Sequence, residues 1–150
     1  MVALYQVKSN IVSSARINWI ESLRTYISEW LQECEGCQVH LKNMFERYLE
    51  TNDENYDGFD LDYKKLVESQ SNITRLKHKM KLYVNSDEEL HKKIEMKIDT
   101  IDSLLDVKIN EDVHTSESSE KMQRYIEETI ILFKEVFKKE WKKSKRIFKI

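Results

Sequence analysis

Cys34, Cys37 and His40 form the pattern Cys-x-x-Cys-x-x-His, which places three metal-ligating side chain types within one short stretch. Zinc takes four such ligands in a tetrahedral site, so His78, His91 or a second copy of the chain would have to complete it. Redox chemistry of the thioredoxin kind needs a strand before the helix, and no strand is predicted here. A small polarizable thiol also packs well inside a helical core. The pattern favours two structural cysteines, with a zinc-responsive switch as the alternative.

Asp53, Asn55 and Asp57 have the spacing of the first half of an EF-hand calcium loop, and Gly58 follows where that loop needs a glycine. The second half of the loop is missing, because Lys64 occupies the position of the bidentate glutamate that closes the coordination sphere. A glycine at positive φ is also typical of an ordinary turn. The segment is therefore interpreted as a solvated acidic turn, with weak calcium binding as the alternative.

The C-terminal segment 134–150 contains eight basic and two acidic residues. Aromatic residues recur in it at about every fourth position, which predicts a basic amphipathic helix. A solvated face of a bundle helix is the favoured interpretation, followed by attachment to an anionic membrane, docking on an acidic protein such as segment 50–62 of another copy, and nucleic-acid contact. Nucleic-acid contact is the least favoured of these interpretations, because the pI is near 6.1 and no DNA-recognition helix motif is present. The bases expected to make such contacts are Lys138, Lys142, Lys145 and Arg146.

The sequence lacks the short patterns that usually carry catalysis. It contains no Gly-rich phosphate loop, no His-Glu-x-x-His zinc motif and no nucleophile elbow. No pair of carboxylates stands in an apolar stretch that would separate their two pKa values for acid–base work. We therefore expect a protein that works by binding, not by catalysis, and that needs no cofactor.

The composition restricts both the fold and the compartment. The 150 residues include no proline and two glycines, too few turn residues for a β-sandwich or a doubly wound sheet. A hydrophobic content of 40% with 35% charged residues argues against disorder, and no apolar run approaches the ~18 residues of a membrane span. No signal peptide is recognisable in residues 1–30. Because two cysteines are too few for a disulfide framework, the expected location is the cytoplasm.

Apolar residues recur at intervals of three and four through most of the chain, which is the period of an amphipathic helix. The first predicted helix would be about 45 residues and roughly 68 Å long. The acidic segment 50–62 and the serine-rich segment 106–119 are expected to be loops. The predicted fold is a single all-α domain over 1–150, either a four-helix bundle or an extended helical hairpin with a very long N-terminal helix. The predicted helices cover residues 3–49, 61–84, 87–105 and 119–148.

A heptad-like apolar seam runs along the first predicted helix, from Ile20 to Tyr48, in strict steps of three and four. We expect the chain to leave about half of this long helix uncovered, and an uncovered apolar stripe needs a partner. Gly36 is its weak point, since glycine in a helix interior costs about 1 kcal/mol relative to alanine. The predicted assembly is a homo-oligomer, with partner-binding residues Leu23, Ile27, Trp30, Leu41, Met44 and Tyr48.

Three stretches of the sequence form a pattern in a fixed order. The first is Arg-x-x-Trp-Ile-x-x-Leu-Arg, made by Arg16, Trp19, Ile20, Leu23 and Arg24. The second approximates Leu-x-Leu-Asn-x-x-Glu-x-x-His, with its polar positions at Asn85, Glu88 and His91. The third is a basic end with a Glu-Trp pair, which includes Trp141. The pattern resembles an uncharacterised family of small bacterial and phage helical proteins.

The resemblance implies a cytosolic helical module of a kind that commonly follows one or two membrane spans and has no assigned chemistry. Only 15 residues precede Arg16 here, and no span is among them, which implies a soluble member or a shortened chain. The resemblance also suggests that Asn85, Glu88 and His91 form a cap that contacts the Trp19–Ile20 region of the first helix.

The sequence therefore predicts a non-enzymatic protein-interaction module of bacterial or phage origin that self-associates through its first helix. Arg16 and Arg24 are expected to pair with glutamates of another helix or to stack on a tryptophan. The alternatives are a membrane-surface adaptor that uses the basic C-terminal helix, and a metal-responsive switch built on Cys34, Cys37 and His40.

Overall fold

The structure is a computed structural model that describes residues 2–52, 57–105 and 116–146. Within these residues, every regular element is an α-helix, so the predicted all-α fold with a very long first helix is confirmed. The first helix has 50 residues and continues through Gly36, where an added Cβ would meet nothing within 4 Å. The helices are α1 (Val2–Thr51), α2 (Phe59–Lys81), α3 (Glu89–Leu105) and α4 (Ser116–Arg146).

The turn between α2 and α3 shows the main difference from the predicted helix boundaries. The backbone N–H of Asp87 donates to Oδ1 of Asn85 at 3.1 Å, and that of Glu88 donates to the carbonyl O of Asn85 at 2.9 Å. An asparagine readily makes a turn of this kind, so α2 ends at Lys81 and α3 begins at Glu89. Most of the predicted loop 106–119 lies outside the described residues, and α4 begins before that loop was expected to end.

The four helices run alternately up and down, as in an up-down bundle. Ion pairs between neighbouring helices agree with this arrangement. The pairs are Arg47–Asp62 between α1 and α2 at 2.7 Å, Lys81–Asp99 between α2 and α3 at 2.9 Å, and Arg16–Glu140 between α1 and α4 at 3.1 Å.

The apolar seam of α1 is buried against the other helices of the same chain. The prediction that this seam binds a partner is therefore wrong, except at Tyr48, which is half-buried. Three shorter helices cover the seam because α2 returns along the second half of α1 and α4 returns along its first half. The covered residues are at most 7% exposed: Ile20, Leu23, Ile27, Trp30, Cys34, Cys37, Leu41 and Met44.

The end of α1 and the start of α2 extend past α3 as a two-helix hairpin. Nε2 of Gln70 donates to the carbonyl O of Leu105, the last residue of α3, at 3.1 Å, so residues 59–69 of α2 run beyond it. Gly58 has the predicted positive φ, at +93°. We call the exposed residues of this region the acidic hairpin end: Leu49, Glu50, Asp57, Asp60, Leu61 and Tyr63.

Candidate functional site

A polar cleft of about 390 Å³ opens where α1, the α2–α3 turn and α4 meet. The three segments that form it lie far apart in the sequence. Its lining includes residues from each part of the pattern that resembles the bacterial and phage family. The lining residues are Val12, Arg16, Trp19, Tyr83, Asn85, Glu88, His91, Glu140 and Lys143.

Trp19 joins α1 to the α2–α3 turn. Its indole Nε1–H donates to the carbonyl O of Tyr83 at 3.0 Å, and its ring is nearly parallel to that of His91, with 6.2 Å between the centroids. His91 is 4% exposed, and its Nδ1 accepts the backbone N–H of Asn85 at 2.8 Å. A buried imidazole in this position is held by its hydrogen bond as well as by its packing. The predicted contact between the cap and the Trp19 region is confirmed.

Ion pairs between α1, α4 and the turn occupy the other side of the polar cleft. Nε of Arg16 lies 3.1 Å from Oε2 of Glu140, whose side chain is 12% exposed, and Lys143 donates to the same carboxylate. Nζ of Lys143 is also 4.0 Å from Oε2 of Glu88. Two positive and two negative side chains balance one another, which a partly buried carboxylate requires. The polar cleft is therefore a junction whose charges are satisfied within the chain.

An apolar groove of about 720 Å³ runs between α1 and α4, beside the part of α1 from Glu21 to Leu31. Its floor contains Phe133, which is 2% exposed, whereas Trp141 keeps 43% of its surface exposed. The aromatic face predicted for the C-terminal helix is therefore divided between the core and an open groove. The apolar lining residues are Ile27, Leu31, Ile130, Phe133, Phe137 and Trp141.

A row of exposed lysines on α4 borders the apolar groove. Two of them line it, and the other two continue the same ridge at helical spacing. Within the described residues, none of the four has an acidic partner, although the ammonium of Lys145 lies 5.3 Å from the ring centroid of Trp141. The side chain of Arg146 is outside the described part of the chain. We call Lys134, Lys138, Lys142 and Lys145 the lysine row.

Arg24, on the α1 side of the groove, is engaged within the chain. Its Nη1 donates to Oε1 of Glu21 at 2.9 Å, and its guanidinium carbon lies 5.2 Å from the ring centroid of Phe137. The contact with α4 is therefore a cation–π contact with a phenylalanine. Arg16 therefore makes the expected ion pair with a glutamate of another helix, whereas Arg24 does not.

Cys34 and Cys37 are free thiols without exposed surface, on the inner face of α1. Burial, with a smaller effect of Cys37 and nearby carboxylates, raises the pKa of Cys34 far above its ordinary value, and burial raises the pKa of Cys37 to about 11. Residues three positions apart on an α-helix are offset by about 60° around its axis, so His40 is turned away from the side of α1 that carries Cys34. The side chain of His40 is half-buried. The described residues contain no group of three metal-binding side chains. Cys34, Cys37 and His40 therefore do not form a metal site within one chain, and both cysteines lie in the core, as the structural interpretation predicts.

The calcium-like pattern lies only partly within the described residues. Asp53 and Asn55 are outside them, and Asp57 is an exposed turn residue. Further along, Asp62 pairs with Arg47. Calcium binding by this segment stays a prediction.

Glu140 and Lys143, which complete the polar cleft, were not predicted from the sequence as site residues. A signal for Glu140 was present, because it forms the Glu-Trp pair with Trp141 in the third stretch of the resembling pattern. Two buried serines were also missed: Oγ of Ser13 donates to the carbonyl O of Ser144 at 3.3 Å where α1 and α4 meet. A lone serine in a helical pattern carries no comparable signal, since its small side chain fits exposed and buried positions alike.

No protein-family model, curated protein or solved structure matches this chain. The functional interpretation therefore depends on the residues and the geometry described above.

Proposed function

We propose that this chain is a non-enzymatic helical protein-interaction module whose binding surface is the apolar groove between α1 and α4. The occupant is an amphipathic helical segment with acidic residues beside its apolar face. The observation that carries the proposal is an apolar groove of about 720 Å³ next to lysines that have no acidic partner within the described residues.

The apolar character of the groove supports a protein segment as the occupant. Leu31, Phe137 and Trp141 leave apolar surface in contact with water, and burying such surface favours association by about 25 cal/mol per Å². Paired helices form a groove into which a third amphipathic helix can place side chains from successive turns. The volume is also within the usual range of binding pockets.

The lysine row supports an acidic occupant. Lys134 and Lys138 stand at the rim of the groove, so carboxylates flanking an apolar stripe would meet them while the stripe enters the groove. Such rim pairs contribute chiefly to specificity and to the rate of association. Because the α1 rim instead contains Glu21 and Ser28, the acidic side of the occupant should face α4.

The recessed position of the apolar residues favours a helix over a membrane surface. A membrane-bound amphipathic helix presents its apolar side chains outward into the lipid, whereas Phe133 and Ile27 lie at the floor between two helices. No helix in the described part of the chain has the length and apolar character needed to cross a bilayer. The membrane-adaptor alternative is therefore tested alongside the main proposal.

The proposal also assigns the module to the cytoplasm of a bacterium or to its phage. The two free, buried thiols support a reducing compartment. The origin is supported by the resemblance of the stretches around Trp19, His91 and Trp141 to the bacterial and phage family.

A designed peptide tests the proposal directly. The probe is a fluorescent amphipathic helix of about 18 residues, with leucines along one face, glutamates on one side of it and glutamines on the other. We expect saturable binding by fluorescence anisotropy. Lys134→Glu with Lys138→Glu should weaken it about tenfold or more. The matched control is Lys92→Glu with Lys121→Glu, at exposed positions away from the groove, which should leave the affinity unchanged.

Two further probes separate the alternatives. A peptide with serines in place of the leucines should not bind, because the apolar contact is lost. Vesicles of equal parts phosphatidylcholine and phosphatidylserine should not retain the protein on flotation. Equal binding by the groove variant and the control, or retention on vesicles without peptide binding, would contradict the proposal.

A further inference from the structure

The acidic hairpin end carries apolar side chains that the described part of the chain leaves exposed. Leu49, Leu61 and Tyr63 are 62%, 57% and 49% exposed, respectively. They lie on two adjoining helices, at the end of the molecule where α1 and α2 extend past α3. Exposed apolar residues grouped in this way are typical of a contact surface.

The same region is strongly acidic. Glu50, Asp57 and Asp60 are exposed, and the segment 50–62 contains six acidic residues and no base. Of these acids, Asp62 pairs with Arg47. The acidic hairpin end therefore combines the two properties proposed above for the occupant of the groove, apolar side chains and flanking carboxylates.

We infer that the apolar groove of one copy binds the acidic hairpin end of a second copy of this chain. The inference rests on the proposed function, because it uses the same groove and names its occupant. Tyr63 would enter the groove, while Asp57 and Asp60, the latter one turn from Tyr63 on α2, face the lysine row. The two surfaces have opposite charge and both present uncovered apolar residues.

A chain cannot make this contact with itself. Leu49 lies eighteen residues beyond Leu31 on the continuous helix α1, which separates the hairpin end from the groove by about 27 Å along the helix axis. The acidic hairpin end can therefore reach only the groove of another copy. The contact joins two different surfaces, so its repetition produces open chains or closed rings instead of a single two-fold dimer.

This arrangement gives self-association a route that does not use the seam of α1 and that matches the sequence alternative in which the basic helix docks on segment 50–62 of another copy. The heptad-like seam from Ile20 to Met44 is buried in the bundle and stays closed. Association instead joins the groove of one copy to the hairpin end of the next. Since charge pairs at the rim contribute to it, association should weaken with salt.

Complementary charge reversals test the inference. Lys134→Glu with Lys138→Glu reverses the charge at the groove rim but keeps the hairpin end, whereas Asp57→Lys with Asp60→Lys reverses the charge of the hairpin end but keeps the groove. We expect the unmodified chain to exceed 18.1 kDa by light scattering as its concentration rises, and each variant alone to stay a monomer. A mixture of the two variants should form a one-to-one dimer that grows no further, because only one intact pair of surfaces is present.

Controls separate this inference from the proposed function. Asp87→Lys with Glu120→Lys, at exposed acids away from the hairpin, should associate like the unmodified chain. Circular dichroism should show unchanged helix content in every variant. A monomer at all concentrations, or no dimer in the mixture, would overturn the inference. If the designed acidic peptide still binds the groove in that case, the proposed function remains and its occupant is another protein.

Discussion

The polar cleft and the apolar groove both lie between α1 and α4, but they differ in whether their charged side chains have partners within the chain. In the cleft, Arg16, Glu140 and Lys143 pair with one another, and the indole N–H of Trp19 has an acceptor on the α2–α3 turn. Along the groove, the lysine row has no acidic partner within the described residues, and Trp141 stays 43% exposed. The charged groups of the cleft are paired within the chain, whereas the groove leaves apolar and basic side chains exposed.

The difference follows from what each kind of side chain requires. A partly buried carboxylate such as Glu140 must have partners, because removing a charge from water is costly unless it is paired. An apolar residue at a groove and a lysine at its rim can stay in water at small cost. We therefore expect changes in the cleft to alter the stability of the bundle, and changes in the groove to alter binding.

The largest expected effect compares two tryptophans. Trp19→Ala removes an indole that donates to Tyr83 and stacks on His91, and we expect the free energy of unfolding to fall by about 3 kcal/mol. Trp141→Ala removes a more exposed indole and should cost about 1 kcal/mol. Urea denaturation followed by circular dichroism measures both. Equal losses would contradict the distinction between the cleft and the groove.

A smaller effect is expected at the shared carboxylate of the cleft. Glu140→Gln keeps the size of the side chain but removes the charge between Arg16 and Lys143, which should lower the free energy of unfolding by about 1–2 kcal/mol. Glu135→Gln, at an exposed position on the same helix, is the control and should change it by less than about 0.5 kcal/mol. Thermal melts at low salt would detect the difference. No difference between the two variants would indicate that the cleft charges are effectively solvated.

The effect that is smallest at neutral pH concerns the buried seam of α1, which is neither part of the cleft nor part of the groove. Burial raises the pKa of Cys37 from 9.0 to about 11, so the folded state retains a proton that the unfolded state releases. The resulting stability is complete below pH 9 and is lost as the pH rises from 9 towards 11. Urea denaturation across this range should show that loss. Cys37→Ala should have a flatter profile, and an unchanged slope in this variant would show that other groups cause the loss.

The helices were predictable because each has an apolar face repeated along many turns. The seam from Ile20 to Met44 was correctly recognised as one apolar face of α1, but it was expected to bind a partner, whereas the chain itself buries it. The same spacing of three and four serves a bundle within one chain and a coiled coil between chains. Only the return path of α2 and α4 along α1 showed that the chain covers its own seam.

The candidate site was predictable only where the sequence pattern itself linked distant segments. The resemblance connected Trp19 with Asn85 and His91, and these residues do meet. It did not indicate that Glu140 stands between Arg16 and Lys143. That depends on the axial position of α4 beside α1, because a shift of one turn would bring a different residue to Arg16.

The sequence by itself determined the four helices, the inner face of each, and the acidic and basic segments, because periodicity and charge are local properties of the chain. The tertiary structure decided which of those faces the chain covers and which it leaves open. The polar cleft and the apolar groove both arise from the rotation and axial shift of α1 against α4. Those two quantities depend on the packing of the whole bundle and have no counterpart in any single stretch of sequence.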